Sequence, residues 1–170
     1  MIMKREAAFQ DGINAFPGFP VVLVTTRDNI ITVALVHRFS YSPFMLGIGI
    51  SHRRYSYQLI QAEKEFAINI PTPDQLEQVR LCGKLSGRDV DKFQACGFTK
   101  AQGKLVASSM IEECPVSIEC KVLQQLELKE RTWFIGEVVA VYAEDNYDPS
   151  RSLLCDRRSY LLIGERIGKR

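Results

Sequence analysis

Histidine is scarce in this sequence, with His37 and His52 the only two in 170 residues. No Ser-His-Asp set can be argued from so few. No cysteine pair has zinc-like spacing either, so no metal site is expected. The five cysteines (Cys82, Cys96, Cys114, Cys120 and Cys155) are odd in number and include no CxxC pair. They read as reduced and mostly buried thiols. Met1–Gly12 has no apolar core of the signal-peptide kind, and the expected location is cytoplasmic. No apolar run reaches the length of a membrane span, so no membrane partner is expected. Charge of one sign is lacking too: 22 basic and 20 acidic residues leave a net +2. That excludes a general basic field for nucleic acid and leaves room for a local anion site. Internal repeats, low-complexity segments, linkers and a clear pair of carboxylates are all missing. Such poverty of acid–base and nucleophilic groups suits a protein whose chemistry belongs to a bound cofactor, and no catalytic side chain is assigned.

What is present is the composition of an ordinary globular domain, 46% hydrophobic and 25% charged. The length fits one domain over residues 1–170. Its hydrophobic pattern is mostly that of strands. Val21–Thr26 and Ile30–Val36 are short β-branched runs separated by Arg27, Asp28 and Asn29, a tight hairpin in which Asp-Asn tolerates positive φ. Met45–Ile50 is a third strand, with Gly47 and Gly49 on one face where something approaches the backbone. Ser56–Ala62 reads as helical turns and Glu65–Ile70 as a strand. Thr72–Cys82 reads as a helix with Thr72 as cap and Pro73 at its first position. Ser86–Gly97 is a polar loop and then a short helix that ends at Gly97. Val116–Leu128 and Trp133–Ala143 alternate over long stretches around the charged turn Lys129–Arg131, and Tyr160–Ile163 is a last strand. Antiparallel strands with helices in the connections point to a closed or partly closed barrel rather than a βαβ sheet.

Four motifs carry candidate chemistry. Gly47-Ile48-Gly49 lacks the third glycine and the immediate helix of a dinucleotide fingerprint, which makes a Rossmann domain a poor reading. Ser51-His52-Arg53-Arg54-Tyr55-Ser56 joins a strand end to a helix start. Free N–H groups, Ser51, Arg53, Arg54 and Ser56 are good chemistry for a phosphate monoester; the alternative is a solvated loop with a capping serine. Ser86-Gly87-Arg88-Asp89-Val90-Asp91-Lys92-Phe93 could be a second anion clamp through Ser86, Arg88 and Lys92, or a surface turn whose charges pair locally. Cys114 and Cys120, six apart, read as one face of a strand and as packing residues rather than ligands.

The order of several pieces resembles the flavin reductase-like family, FMN-binding split barrels, and most closely its flavoredoxin-like branch. They are Phe19–Thr26, Asn29–Ala34, Arg54–Tyr57, Glu65–Thr72, Cys82–Phe93, Glu113–Cys120, Phe134–Val139 and Leu162–Glu165, and the resemblance runs from about Phe16 to Gly168. It implies a mainly β fold, a six-stranded antiparallel split β-barrel of Greek-key type with short connecting helices. It implies a homodimer that binds FMN near the subunit interface. The loop through Asn29–Leu35 (with Asn29, Thr32, Val33 and Ala34) and the following strand would lie against the isoalloxazine ring, much of it through backbone groups. The Arg54–Ser56 region would grip the phosphate, and the Ser86–Lys92 loop would be a second contact. Three positions depart from the family pattern: the short Asp28-Asn29 turn, Leu35 where tryptophan is common, and Arg131 where histidine is common. The implied activity is an oxidoreductase that takes hydride from NAD(P)H and passes electrons through FMN to a free flavin or another acceptor. An electron carrier reduced by a protein partner, or a barrel that binds another ligand, are the alternatives.

Overall fold

A computed structural model describes residues 5–164 and 167. Glu165 and Gly168, at the end of the resemblance, lie outside the described residues. The elements in chain order are α1 Phe9–Asn14, β1 Phe19–Pro20, β2 Val22–Thr26, β3 Asn29–Val33, β4 Val36–Tyr41, β5 Phe44–Ser51, α2 Tyr55–Glu63, β6 Glu65–Ile70 and α3 Leu76–Lys84. They continue with α4 Lys92–Cys96, β7 Lys100–Ala101, β8 Met110–Ile111, β9 Val116–Glu127, β10 Arg131–Ala143, β11 Leu153–Asp156 and β12 Ser159–Leu162. Among the described residues, no helix is long and apolar enough to cross a membrane.

The main sheet is antiparallel, in the order β3-β2-β6-β9-β10-β5-β4. Its two edges, β3 and β4, are consecutive in the chain and separated only by Ala34 and Leu35. A sheet whose edges are joined by so short a link must curl on itself. The Gly49 N–H donates to the Leu35 carbonyl at 2.8 Å, which carries the β4–β5 pairing one residue further into that link. The result is the expected split barrel, with seven strands instead of six. The run Ile30–Val36 breaks at this link and goes on as β4, which the alternation of side chains did not reveal.

Strand β2 separates two cores because alternate side chains point to opposite faces. Val22 and Val24 face the barrel interior with Ile31, Ile48, Phe66, Ile68, Cys120 and Phe134. Val21 and Leu23 face an outer layer with Val79, Cys82, Phe93, Cys96, Ile111 and Cys114, under α3 and α4. Cys114 and Cys120 therefore belong to different cores, not to one strand face. Pro115 has no N–H for a ladder, and β9 begins after it at Val116.

Local chemistry accounts for most boundaries. The β2–β3 turn is Arg27-Asp28, and the residue with positive φ is Arg27 (48°) rather than the Asp-Asn pair. The predicted Thr72 start is kept: Thr72 N–H donates to Gln75 Oε1 at 2.8 Å, and a 3₁₀ turn over Pro73–Gln75 leads into α3. Asp91 caps α4 through the N–H groups of Phe93 and Gln94, and Gly97 ends it at φ 68°. The short strands β1, β4, β7, β8 and β11 and the helix α1 gave no signal in the sequence.

Candidate functional site

A groove runs along the β3 edge of the barrel. It consists of two cavities that share Ile31 and Arg54, about 110 Å³ at one end and about 270 Å³ at the other. The smaller end is walled by the start of α2, by β3 and by the loop between α3 and α4. Among the described residues, five basic side chains line it, Arg53, Arg54, Lys84, Arg88 and Lys92, and no acidic one does.

Each of these groups is positioned by the chain around it. The turn after β5 is tied by the Arg54 N–H to the Ser51 carbonyl at 3.0 Å and by the His52 N–H to the Glu130 carbonyl at 3.2 Å. No side chain caps α2, so the N–H groups of Tyr55 and Ser56, two residues that line the groove, have no side-chain partner. Arg54 is exposed and steadied by one bond from Nη1 to the Gly83 carbonyl at 3.2 Å. Ser56 is buried, and its Oγ accepts from Asn29 Nδ2 at 2.7 Å, which leaves its own proton free to donate. Asn29 Oδ1 is buried without a hydrogen-bond partner. Gly87 packs directly on that oxygen, where any Cβ would overlap it. Arg88 lies over the Tyr55 ring, 5.0 Å from its centroid.

Lys92 differs from the expectation of a surface cation. It is 4% exposed, and Nζ donates to the Ile30 carbonyl at 2.7 Å and the Cys82 carbonyl at 2.8 Å. Two of its three N–H bonds fasten β3 to the end of α3, and the third remains for the cavity that it lines. Burial pushes its pKa below the ordinary lysine value, and the Arg54 guanidinium adds to this effect. An anion in the cavity would act in the opposite direction.

The larger end is different in kind. Thr32, Val33, Ala34 and Leu35 form one wall, Gly49, Ile50 and Ser51 another, and Arg131 stands at the rim. Among the described residues, strand β3 pairs on one side only, with β2, so its other edge presents backbone donors and acceptors. Thr32 Oγ1 donates to the Val79 carbonyl at 2.5 Å and holds the strand against α3. Gly49 sits between Leu35 and Trp133, and the Phe39 ring lies on Gly47. The close approach read from these two glycines is thus made by the chain's own side chains.

All ten candidate residues line this groove. Asn29, Arg53, Arg54, Ser56, Ser86 and Lys92 stand at the small end, Thr32, Val33, Ala34 and Ser51 at the large end, and Arg54 borders both. Two of the three departures from the family pattern, Leu35 and Arg131, are at the large end. Lys84 was missed, because the sequence does not tell which way the last turn of α3 faces. Beyond Gly87 a third cavity of about 510 Å³ shares Asn29, Tyr55, Gly87 and Arg88 with the small end, and there Asp28, Asp89 and Asp91 offset the bases. The Cys114 and Cys120 thiols are each pushed up to about 12 by burial, which makes them poor nucleophiles. Among the described residues, no group of three or more His, Cys, Asp or Glu could hold a metal ion.

A model of the flavin reductase like domain matches residues 15–163. A protein of Archaeoglobus fulgidus is 33% identical over 127 residues, 75% of this chain and 72% of its own length. Flavoredoxin from Methanosarcina acetivorans superposes with a TM-score of 0.88 at 28% identity, over 99% of this chain and 95% of that one. Flavoredoxin of Desulfovibrio vulgaris (Miyazaki F) does so with a TM-score of 0.86 at 25% identity, over 99% and 97%.

Proposed function

Because this chain belongs to the flavin reductase-like family, on its flavoredoxin-like branch, we propose that its groove holds FMN and that it is an NAD(P)H-dependent flavin oxidoreductase. The observation that carries the reading is the contrast along the groove, with five bases and no acid at one end and strand-edge backbone at the other. FMN has the same polarity: a dianionic phosphate on a ribityl chain, and a flat ring whose rim alternates carbonyl oxygens and an N–H. When bound, the flavin supplies the redox chemistry, accepting hydride from a nicotinamide and passing electrons to a free flavin or another acceptor.

The chain's own residues do the remaining work in this proposal. Arg54, Arg53, Ser56 and the open N-terminus of α2 bind the phosphate. Ser86 and the third N–H of Lys92 complete its shell. Asn29 orients Ser56, and Ser51 borders the ring end. The β3 edge over Thr32, Val33 and Ala34 meets the ring rim, while Leu35 and Gly49 limit how thick a body fits there. Arg131 puts positive charge beside the ring, which favours its reduced, anionic form.

The test is anaerobic. Protein loaded with FMN is mixed with NADH and, separately, with NADPH, and bleaching of the flavin absorbance is followed. Bleaching by either donor supports the oxidoreductase. Bleaching by dithionite alone favours the electron carrier, and failure to retain any flavin removes both readings.

The assembly proposed with this function is a two-fold homodimer. Strand β9 is exposed over most of its outer half, with Leu123, Leu126 and Leu128 bare near the tip of its hairpin and Val141 bare on β10. An obligate interface there should exceed about 2,000 Å². Light scattering at micromolar concentration should give the dimer mass, and a monomer would overturn the assembly.

A further inference from the structure

The outer core holds two thiols that the groove chemistry does not use. Cys82 lies in the last turns of α3 and Cys96 ends α4, and their Sγ atoms are 3.4 Å apart. The segment between them carries Ser86, Gly87, Arg88 and Lys92, the part of the chain that closes the anion end of the groove. Among the described residues, no other two thiols are in hydrogen-bonding contact. Cys114 Sγ meets Gln75 Oε1 at 3.8 Å, Cys120 is in the barrel interior, and Cys155 lies on β11.

We propose that Cys82 and Cys96 form a peroxide-oxidised pair whose disulfide closes residues 83–95 into a ring at the base of the anion-binding loop. A disulfide needs the sulfurs about 2.05 Å apart, so the two must approach by little more than an ångström. The five-residue helix α4 can take up that shift, because Gly97 follows Cys96 at once in the left-handed conformation, φ 68°. The order of events follows from exposure. Cys96 is 6% exposed and Cys82 fully buried. Burial and the Cys96 sulfur hold the Cys82 thiol well above the ordinary value, while the Lys92 ammonium pulls it down.

Cys96 therefore meets peroxide first. Its sulfur attacks one peroxide oxygen, the O–O bond breaks, and the departing hydroxide takes the thiol proton and leaves as water. Cys96 is now a sulfenic acid. The Cys82 sulfur then attacks the Cys96 sulfur, the S–O bond breaks, and a second water leaves with the Cys82 proton. Two thiols have lost two electrons and two protons, and one peroxide has become two waters. The small exposure of Cys96 makes the reaction slow, so it needs excess oxidant.

The experiment uses the folded protein, fully reduced and freed of reductant, treated with excess hydrogen peroxide. Catalase stops the reaction, iodoacetamide blocks the remaining thiols, and proteolysis and mass spectrometry follow. A dominant cross-linked peptide joining Cys82 to Cys96, reversed by dithiothreitol, supports the pair. Cys82→Ser should abolish the link and let Cys96 collect oxygen adducts, whereas Cys96→Ser should leave Cys82 unmodified. If either variant fails to fold, the wild type in urea serves as the control, and there linkages should scatter over all five thiols. The proposal is overturned if the native protein gives no Cys82–Cys96 link, gives it only in urea, or links other cysteines as readily.

Discussion

The two ends of the groove are built from different materials. At the basic end, the proposed anion end, side chains make the wall: Arg53, Arg54, Ser56, Lys84, Arg88 and Lys92 reach in from the start of α2, the end of α3 and the segment that opens α4. At the other end, the proposed ring end, the wall is largely backbone: a strand edge over Ile31–Val33, with Gly49 on the opposite wall. Side chains can be exchanged one at a time, so the anion end should tolerate tuning. A backbone edge is fixed by the register of the whole sheet, so the ring end should change only when the barrel does.

The largest expected effect comes from a residue that belongs to both the site and the fold. Lys92→Ala removes the donor to two carbonyls, those of Ile30 and Cys82. An unpaired buried polar group costs about 1–3 kcal/mol, so with two carbonyls left unpaired stability should fall by roughly 2–6 kcal/mol. Urea unfolding measures it. A change below about 0.5 kcal/mol, the range of ordinary surface substitutions, would mean that Lys92 acts only through the groove.

Next is Arg54→Ala. The guanidinium is exposed and holds the protein by one bond to the Gly83 carbonyl, so the fold should survive. A charge-assisted hydrogen bond contributes about 1.5–3 kcal/mol, and each 1.4 kcal/mol is about tenfold in affinity. FMN should bind roughly ten- to a hundredfold more weakly, while riboflavin, which lacks the phosphate, should bind as before. Fluorescence titration with both ligands reads the difference. Equal weakening of the two would move Arg54 from the phosphate to the ring.

Gly49→Ala tests the opposite end and should act in the opposite pattern. A Cβ there would lie 3.1 Å from Leu35 Cβ and 3.3 Å from Trp133 Cε2, closer than those walls comfortably allow. Both FMN and riboflavin should weaken together, by roughly three- to tenfold, and the fluorescence of Trp133, the only tryptophan, should shift. Loss of FMN affinity alone would contradict a backbone-lined ring end.

The same difference decides what could be read from the sequence. Side-chain chemistry is local: the run Ser51–Ser56 read as a phosphate site or a solvated loop, the run Ser86–Lys92 as an anion clamp or a surface turn, and the fold brings the bases of both to one cavity. Strands with regular alternation were legible as well: β6 was expected at its observed limits, and the β9–β10 hairpin within a residue or two. The break between β3 and β4 was not, because nothing in the alternation through Ile30–Val36 marks Ala34 and Leu35 as a link. Nor was the burial of Lys92, since its partner Ile30 is 62 residues away. The thiol pair was hidden for the same reason, as only the packing of α3 on α4 brings residues 82 and 96 together.

Asp28 gives the smallest effect and marks the border of the basic site. It directly precedes Asn29, yet it lines the mixed-charge cavity beyond Gly87 and not the anion end. A hydrogen bond from Lys100, at 3.1 Å, holds its carboxyl below the usual range, with help from Ser109. A carboxylate whose folded pKa is depressed adds stability above its unfolded value, about 3.9. That contribution is lost as the pH falls through the folded value. Both partners are largely exposed, at 68% and 40%, so the effect is screened and small. Asp28→Asn should therefore melt slightly below the wild type at pH 7, and the two should converge as the pH falls below about 3.9. High salt should narrow the gap at pH 7. Since Asp28 does not line the anion end, the substitution should leave FMN affinity unchanged. A clear gain in FMN affinity would show instead that the acids beyond Gly87 reach the phosphate electrostatically, and that the two cavities act as one field.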